Sequence, residues 1–349
     1  FQSASSIVCV APSIRAFGTQ PLPFKVSLFV SNNGKDFISS RMPIYTYVSP
    51  VSVSSVSPNS GPVEGGTGII VRGLNFVSTD VLGCRIGSAL TGVVVPGRYL
   101  SPTMLRCVTP ALPKGRVAVE ITTNNVDYTN DAVQFEYKVQ ASVAAISPNF
   151  GPTTGGTKVV VSGAGFSETQ ELQCRFGTGG ALTQAIWIAP TVIECITPSV
   201  ASASFVALQI TSNMVDFTSP TSAFYSYTEP AVVRYISPPE GPSRGGTLVT
   251  VVGTGFTSVN SAQLFKCQFG GVSVHAVCLN STHLQCSSPA IVLNSELVKH
   301  LVLEVSMNGL QFTNQQVQFT MYKSIQLVGI TPQTGPTTGN TSITVHGNG

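Results

Sequence analysis

Apolar residues in this chain recur at every second position in short runs, not at every third or fourth. Lys158-Val159-Val160-Val161-Ser162 and Ala118-Val119-Glu120-Ile121-Thr122 are typical. Such runs are rich in Val, Ile, Thr and Phe, and Gly, Pro and Asn clusters separate them. A period of two places alternate side chains on one face of a strand, so each run predicts a half-buried β-strand between turns. No stretch sustains a 3.6-residue period beyond three turns, and no long helix is predicted.

The strand pattern repeats. Ser57-Pro58-Asn59-Ser60-Gly61-Pro62 is followed by Gly65-Gly66-Thr67, Gly73 and Phe76. Ser147-Pro148-Asn149-Phe150-Gly151-Pro152 leads to Gly155-Gly156-Thr157, Gly163 and Phe166. Ser237-Pro238-Pro239-Glu240-Gly241-Pro242 leads to Gly245-Gly246-Thr247, Gly253 and Phe256, and Thr331-Pro332-Gln333-Thr334-Gly335-Pro336 opens a fourth copy. The lead prolines stand 90, 90 and 94 residues apart. A second block recurs as Cys9-Val10-Ala11-Pro12, Cys107-Val108-Thr109-Pro110, Cys195-Ile196-Thr197-Pro198 and Cys286-Ser287-Ser288-Pro289. A third is a turn that opens on Asn33, Asn124, Asn213 or Asn308, after which each copy closes on an aromatic strand.

Self-similarity at this period predicts tandem units. The boundaries read as half a unit over 1–48, whole units over 49–138, 139–228 and 229–323, and the opening of another over 324–349. Residue 1 is Phe and not a start Met, so the sequence reads as a window on a longer chain. Linkers such as Val48-Ser49-Pro50 and Thr228-Glu229-Pro230 are short and carry proline, which favours a stiff rod. About 90 residues with six or seven strands predict an all-β, immunoglobulin-like sandwich in each unit.

The Pro-x-x-Gly-Pro-x-x-Gly-Gly-Thr segment reads as turn structure, its prolines keeping it out of sheet pairing. A phosphate-cradling loop would need Gly-Lys-Ser/Thr opening a helix, and a strand follows here instead. The cysteines carry more information. Each whole unit holds one pair, Cys84/Cys107, Cys174/Cys195 and Cys267/Cys286, at separations of 23, 21 and 19. Recurrence at matching positions, without Cys-x-x-Cys or nearby His, argues for disulfides over zinc. The expected pairing is 84–107, 174–195 and 267–286, with Cys9 joined to a partner outside the chain. Disulfides place the chain in the secretory pathway, extracellular or at the cell surface. Cys278 alternates with Val274 and Ala276, so it reads as a core-facing free thiol, the alternative being an intermolecular disulfide.

Asn280-Ser281-Thr282 and Asn340-Thr341-Ser342 are N-glycosylation sequons. Asp36, Asp127 and Asp216 recur in the Asn-led turns and suggest Ca²⁺, yet the third whole unit has Gln311 there and no second carboxylate repeats nearby. They read instead as hairpin closers bonding to the backbone. All four histidines, His275, His283, His300 and His346, belong to the last quarter and have no counterparts elsewhere. Trp187 reads as a core or sheet-face aromatic. No catalytic spacing is present, so neither an enzyme nor a cofactor or metal is expected.

Composition narrows the class. Charged residues are 9%, with 18 Lys plus Arg against 15 Asp plus Glu and no basic run. That excludes a nucleic-acid binder, which needs a basic face, and a coiled coil, which needs charged stripes. No run of about 18 consecutive apolar residues marks a membrane span in this segment. A surface so poor in charge must either carry glycans or be buried against other chains.

The Ser-Pro-x-x-Gly-Pro-x-x-Gly-Gly-Thr segment, the Cys174-Arg175-Phe176-Gly177 and Cys267-Gln268-Phe269-Gly270 pieces and the Cys-x-x-Pro block together resemble the IPT/TIG family of immunoglobulin-like domains. Cys84-Arg85-Ile86-Gly87 departs by an Ile. Tandem arrays of this family occur in plexins, hepatocyte-growth-factor-type receptors and fibrocystin-like proteins. The resemblance implies the sandwich fold and extracellular protein contacts, without a particular ligand. The first expectation is a structural or adhesive rod that forms or decorates a surface filament or matrix. Its partners would be other copies of itself or other extracellular proteins, met through exposed strand edges. The alternative is a spacer in a plexin- or fibrocystin-like receptor ectodomain. A third reading, carbohydrate binding, lacks a surface cluster of Trp and Tyr.

Overall fold

A computed structural model describes residues 6–37, 44–220, 223–256, 264–294 and 296–348. The chain divides into two compact units, 1–139 and 140–349. Apart from one short 3₁₀ turn, Ile14–Phe17, every regular element among the described residues is a strand.

The N-terminal unit begins with the strands Phe24–Ser27 and Ile44–Tyr47, antiparallel with Phe24 opposite Tyr47. The rings of Phe17, Phe24 and Tyr47 cluster there, and Tyr47 donates to the Pro12 carbonyl at 2.8 Å. The first whole repeat follows as two sheets. One runs in the order Ser52–Ser57, Gly68–Leu74, Met104–Val108, Arg98–Ser101. The other runs Ser60–Pro62, Gln134–Lys138, Gly115–Thr122, Gly83–Ile86, Val93–Pro96. Ile69, Val71 and Leu105 from the first sheet meet Ile86, Ile121 and Phe135 from the second in one buried core. The alternation of the sequence thus becomes the inside and outside of a sandwich.

The C-terminal unit repeats the plan. Ser142–Ser147, Lys158–Ala164, Val192–Ile196 and Ile186–Ala189 face Phe150–Pro152, Phe224–Thr228, Ser204–Thr211, Gln173–Phe176 and Leu182–Gln184. In the third repeat the two sheets merge into one of eight strands, because Val272–Asn280 is continuous and pairs with both Lys266–Phe269 and His283–Ser287. The first repeat interrupts this strand at Pro96-Gly97, where proline offers no ladder donor, and the second interrupts it at Ala185. Gln326–Thr331 and Thr344–Asn348 pair antiparallel after the third repeat.

One expectation is corrected. The proline-glycine segments do join a sheet, as three-residue parallel strands at its edge: Ser60–Pro62 on Gln134–Lys138, Phe150–Pro152 on Phe224–Thr228, and Glu240–Pro242 on Val317–Tyr322. The bonds avoid the proline nitrogens. Val63 N–H donates to the Lys138 carbonyl and Glu136 N–H to the Asn59 carbonyl, both at 2.9 Å. Proline is tolerated because this is an edge strand whose donors come from flanking residues.

Candidate functional site

The three cysteine pairs occupy the centre of each sandwich. Cys84 bonds Cys107, Cys174 bonds Cys195 and Cys267 bonds Cys286, with Cα–Cα distances of 6.4, 6.1 and 6.3 Å. All six are buried; the first two bonds tie one sheet to the other through the core, and the third joins Lys266–Phe269 to His283–Ser287 within the merged sheet. A closed loop of about 20 residues contributes roughly 3 kcal/mol in the chain-entropy model. Cys9 is exposed and unbonded among the described residues. Cys278 is half-buried against the third repeat's core, and its thiol donates to the Asn280 carbonyl at 3.4 Å. Burial pushes that thiol's pKa up, against a smaller opposing effect at the Asn280 backbone.

Asn280 is exposed at the end of Val272–Asn280. Its Oδ1 accepts from Thr282 N–H at 2.9 Å and from the Thr282 hydroxyl at 2.8 Å. Asn340 is exposed with φ +67°. His283 and His300 bond neighbouring polar side chains, and Trp187 donates its indole N–H to the Phe166 carbonyl at 3.1 Å while packing on the second core. Among the described residues no group of three or more His, Cys, Asp or Glu comes together. Among the described residues no helix is long and apolar enough to cross a membrane.

Sequence reasoning passed over a clamp beside the disulfide. Arg85 follows Cys84 and lies opposite Glu120 on the neighbouring strand. Its Nε donates to Glu120 Oε2 at 2.6 Å, and its guanidinium sits 3.7 Å from the centre of the Tyr128 ring. In the second repeat Arg175 donates to Gln209 Oε1 at 2.9 Å and covers the Phe217 ring at 3.5 Å. The third repeat has Gln268 at this position, and its buried Glu304 accepts instead from the Thr313 hydroxyl and from Gln316 N–H. The signal was a charged residue inside an alternating run, Val119-Glu120-Ile121, where only a partner on the next strand makes burial tolerable.

The Asn-led turns close differently from the expectation. It is the asparagine that grips the backbone: Asn124 Oδ1 accepts from Val126 N–H at 3.0 Å and Asp127 N–H at 2.8 Å. The aspartate is gripped in turn, Asn124 Nδ2 donating to Asp127 Oδ2 at 2.7 Å. Asn33 with Asp36 and Asn213 with Asp216 repeat the arrangement. These carboxylates serve the turn.

Gln311 breaks that pattern and explains itself. Asn308 Nδ2 donates to Gln311 Oε1 at 2.9 Å, as in the aspartate turns. Gln311, however, also reaches the second repeat. Thr157 Oγ1 donates to the same Oε1 at 2.6 Å, and Gln311 Nε2 donates to the Gly155 carbonyl at 2.8 Å. Phe150 crosses the same joint from the second repeat and is fully buried within the third repeat's hydrophobic core. Ser60 and Glu240 hold its position in the other repeats. A cavity of about 330 Å³ remains beside the joint, lined by Gly151, Thr154, Pro230, Gln311 and Phe312. The second and third repeats are therefore joined by a shared core residue and an amide bridge as well as by a linker.

The chain matches the model of the IPT/TIG domain over residues 50–137, 141–227 and 231–321. Among curated relatives, human plexin-A3 is 25% identical over 259 residues, which is 69% of this chain and 13% of plexin-A3. Human fibrocystin-L is 26% identical over 308 residues, 86% of this chain and 7% of fibrocystin-L. Plexin-2 of Caenorhabditis briggsae is 26% identical over 286 residues, 78% of this chain and 15% of the relative. This chain thus spans a small fraction of the relatives it matches. Among solved structures, the full extracellular region of plexin A4 covers 82% of the chain at 21% identity with a TM-score of 0.43. With its disulfides and these relatives, the chain is extracellular or at the cell surface.

Proposed function

From the premise that this chain belongs to the IPT/TIG domain family, we propose that it is a spacer segment of a plexin- or fibrocystin-like receptor ectodomain. It holds other binding modules at a set distance and angle and does no chemistry of its own. The relatives favour this alternative over the filament-forming rod that the sequence first suggested. The observation that carries it is the joint of Phe150 and Gln311, because a spacer transmits orientation only where adjacent modules do not swivel. Module boundaries at 49–138, 139–228 and 229–323, glycans on Asn280 and Asn340, and a partner cysteine for Cys9 belong to the same proposal. So do contacts with other extracellular proteins.

Pulsed spin-label distance measurements between the second and third repeats test it. A narrow distribution in the native chain, broadened by Phe150→Ser with Gln311→Asp, supports the spacer. A broad native distribution overturns it. Concentration-driven polymerisation of the native glycoprotein would restore the filament reading.

A further inference from the structure

Positive charge is thin and scattered along the sequence, yet folding gathers three arginines onto one surface. In the first repeat, Arg98 lies directly opposite Arg106 on the adjacent strand. Arg106 in turn lies opposite Ile70, and Arg72 stands two residues further along that strand. All three are exposed, while Ile69, Val71, Leu105 and Cys107 on the same strands point into the core. The arginines therefore share the outer face of the sheet formed by Ser52–Ser57, Gly68–Leu74, Met104–Val108 and Arg98–Ser101.

This face has no counter-charge of its own. Its four strands contain no Asp or Glu at any position. The ion pairs among the described residues engage Arg85, Arg116, Lys138 and Lys158, and none of these three. Like charges set directly opposite across a strand pair cost stability, so the fold carries the Arg98–Arg106 pair at its own expense. The corresponding pairs elsewhere avoid that cost: Ile186 opposite Glu194 in the second repeat and Val277 opposite Gln285 in the third. In the second repeat the face even neutralises itself, Lys158 pairing with Glu194 at 2.8 Å.

Two of the guanidiniums are also laid down in place. Arg106 extends over Gly68, whose missing side chain makes the room; a Cβ there would stand 2.8 Å from Arg106 Nη2. Arg72 Nη1 donates to the Met104 sulfur at 3.3 Å.

We propose that this face binds a sulfated polysaccharide of the extracellular matrix through Arg72, Arg98 and Arg106. Guanidinium forks match oxyanions such as sulfate two bonds at a time, and here every fork is free of a carboxylate. Neighbouring strands lie about 4.8 Å apart and alternate residues along a strand about 7 Å, so the three arginines are rooted one or two such steps apart, with Arg106 reaching towards Gly68 and Arg72 towards Met104, a spread that a linear polyanion can span. Leu74, Leu100 and Val108 are exposed on the same strands, yet what sets this face apart from its counterparts in the other repeats is its unpaired positive charge. The assignment goes beyond the spacer reading and stands whether or not the joint between repeats is stiff.

The test is binding of the whole chain to immobilised heparin in about 0.15 M salt, with desulfated heparin and polyglutamate as competitors. Binding is expected to weaken about tenfold for each of Arg72→Ser, Arg98→Ser and Arg106→Ser. Arg234→Ser, which removes an exposed arginine of the third repeat, should leave it unchanged. The triple variant must melt no lower than the native chain, which excludes misfolding as the cause. Equal binding by native chain and triple variant overturns the proposal, as does an equal loss with Arg234→Ser. Polyglutamate displacing heparin at equal charge overturns it in favour of an acidic protein partner. None of these outcomes alters the spin-label distances that decide the spacer reading.

Discussion

Replacing aspartate by glutamine at position 311 lengthens the side chain by one methylene and exchanges a charge for an amide. The amide accepts and donates at once, so Gln311 keeps the Asn308 bond while taking Thr157 and Gly155 across the joint. Restoring the ordinary turn residue, Gln311→Asp, keeps the turn and removes the donor to Gly155. It is expected to cost about 1–3 kcal/mol, since the Gly155 carbonyl loses its partner and a charge enters a half-buried site. Denaturant unfolding checks it, and a cycle with Thr157→Val isolates the bridge from the turn. A second residue-scale expectation concerns Tyr137, whose hydroxyl donates to the Pro110 carbonyl at 2.7 Å. Burial pushes its pKa from 10.0 up to about 12, against a smaller opposing effect from Thr109. Above pH 10 the unfolded chain gives up this proton and the folded chain does not, so stability present below pH 10 declines as pH rises towards 12. Absorbance titration of tyrosinate in the native chain and in Tyr137→Phe checks the order of the two events.

At the scale of elements, Phe150–Pro152 does two jobs, completing the edge of the second repeat's sheet and sending Phe150 into the third repeat's core. Phe150→Ser is therefore expected to destabilise the third repeat, by about 3 kcal/mol, although the substitution lies in the second. Hydrogen exchange checks this: protection should fall along Val298–Ser306 more than along Lys158–Ala164. Gly151 in the same strand has no room for a methyl, because Thr157 Oγ1 and the Tyr225 hydroxyl already occupy the space. Much of this fold was legible. Alternation gave the strands, and the recurring Cys positions singled out residues that the fold brings together, because both are local or periodic. The joint, the Arg85–Glu120 clamp and the arginine face were not legible. Arg72, Arg98 and Arg106 are unremarkable until strand register sets them side by side. Gln311 read only as a lost aspartate, since its partners lie more than 150 residues away. The pairing of the proline segments was missed because a parallel edge strand uses donors outside the motif.

For the whole molecule the scarcity of charge still asks what keeps the surface soluble. With 9% charged residues, and three arginines committed to one face, most of the surface is Ser, Thr, Asn, Gln and exposed aliphatics. The third repeat shows where this is hazardous. The second half of Val272–Asn280, from Ala276 on, pairs with His283–Ser287 on one side and, among the described residues, with no strand on the other, and it exposes Val277 and Leu279 just before Asn280. Edge strands with apolar side chains and free backbone groups recruit other strands unless something blocks them, and Lys or Glu usually does so. Here the sequon stands where such a gatekeeper would. A glycan on Asn280 would shield Val277 and Leu279 and exclude an incoming strand, without spending a charge. Chain made in a secretory host should lose mass on enzymatic deglycosylation, and Asn280→Gln should abolish most of that loss. In sedimentation velocity over rising concentration, the glycosylated chain should remain monomeric, while Asn280→Gln should associate through the uncovered edge. Adding Val277→Lys to that variant should restore the monomer, because it supplies the missing gatekeeper directly. Association of the glycosylated chain, unaffected by Val277→Lys, would mean that another surface drives contact and that Asn280 is no guard.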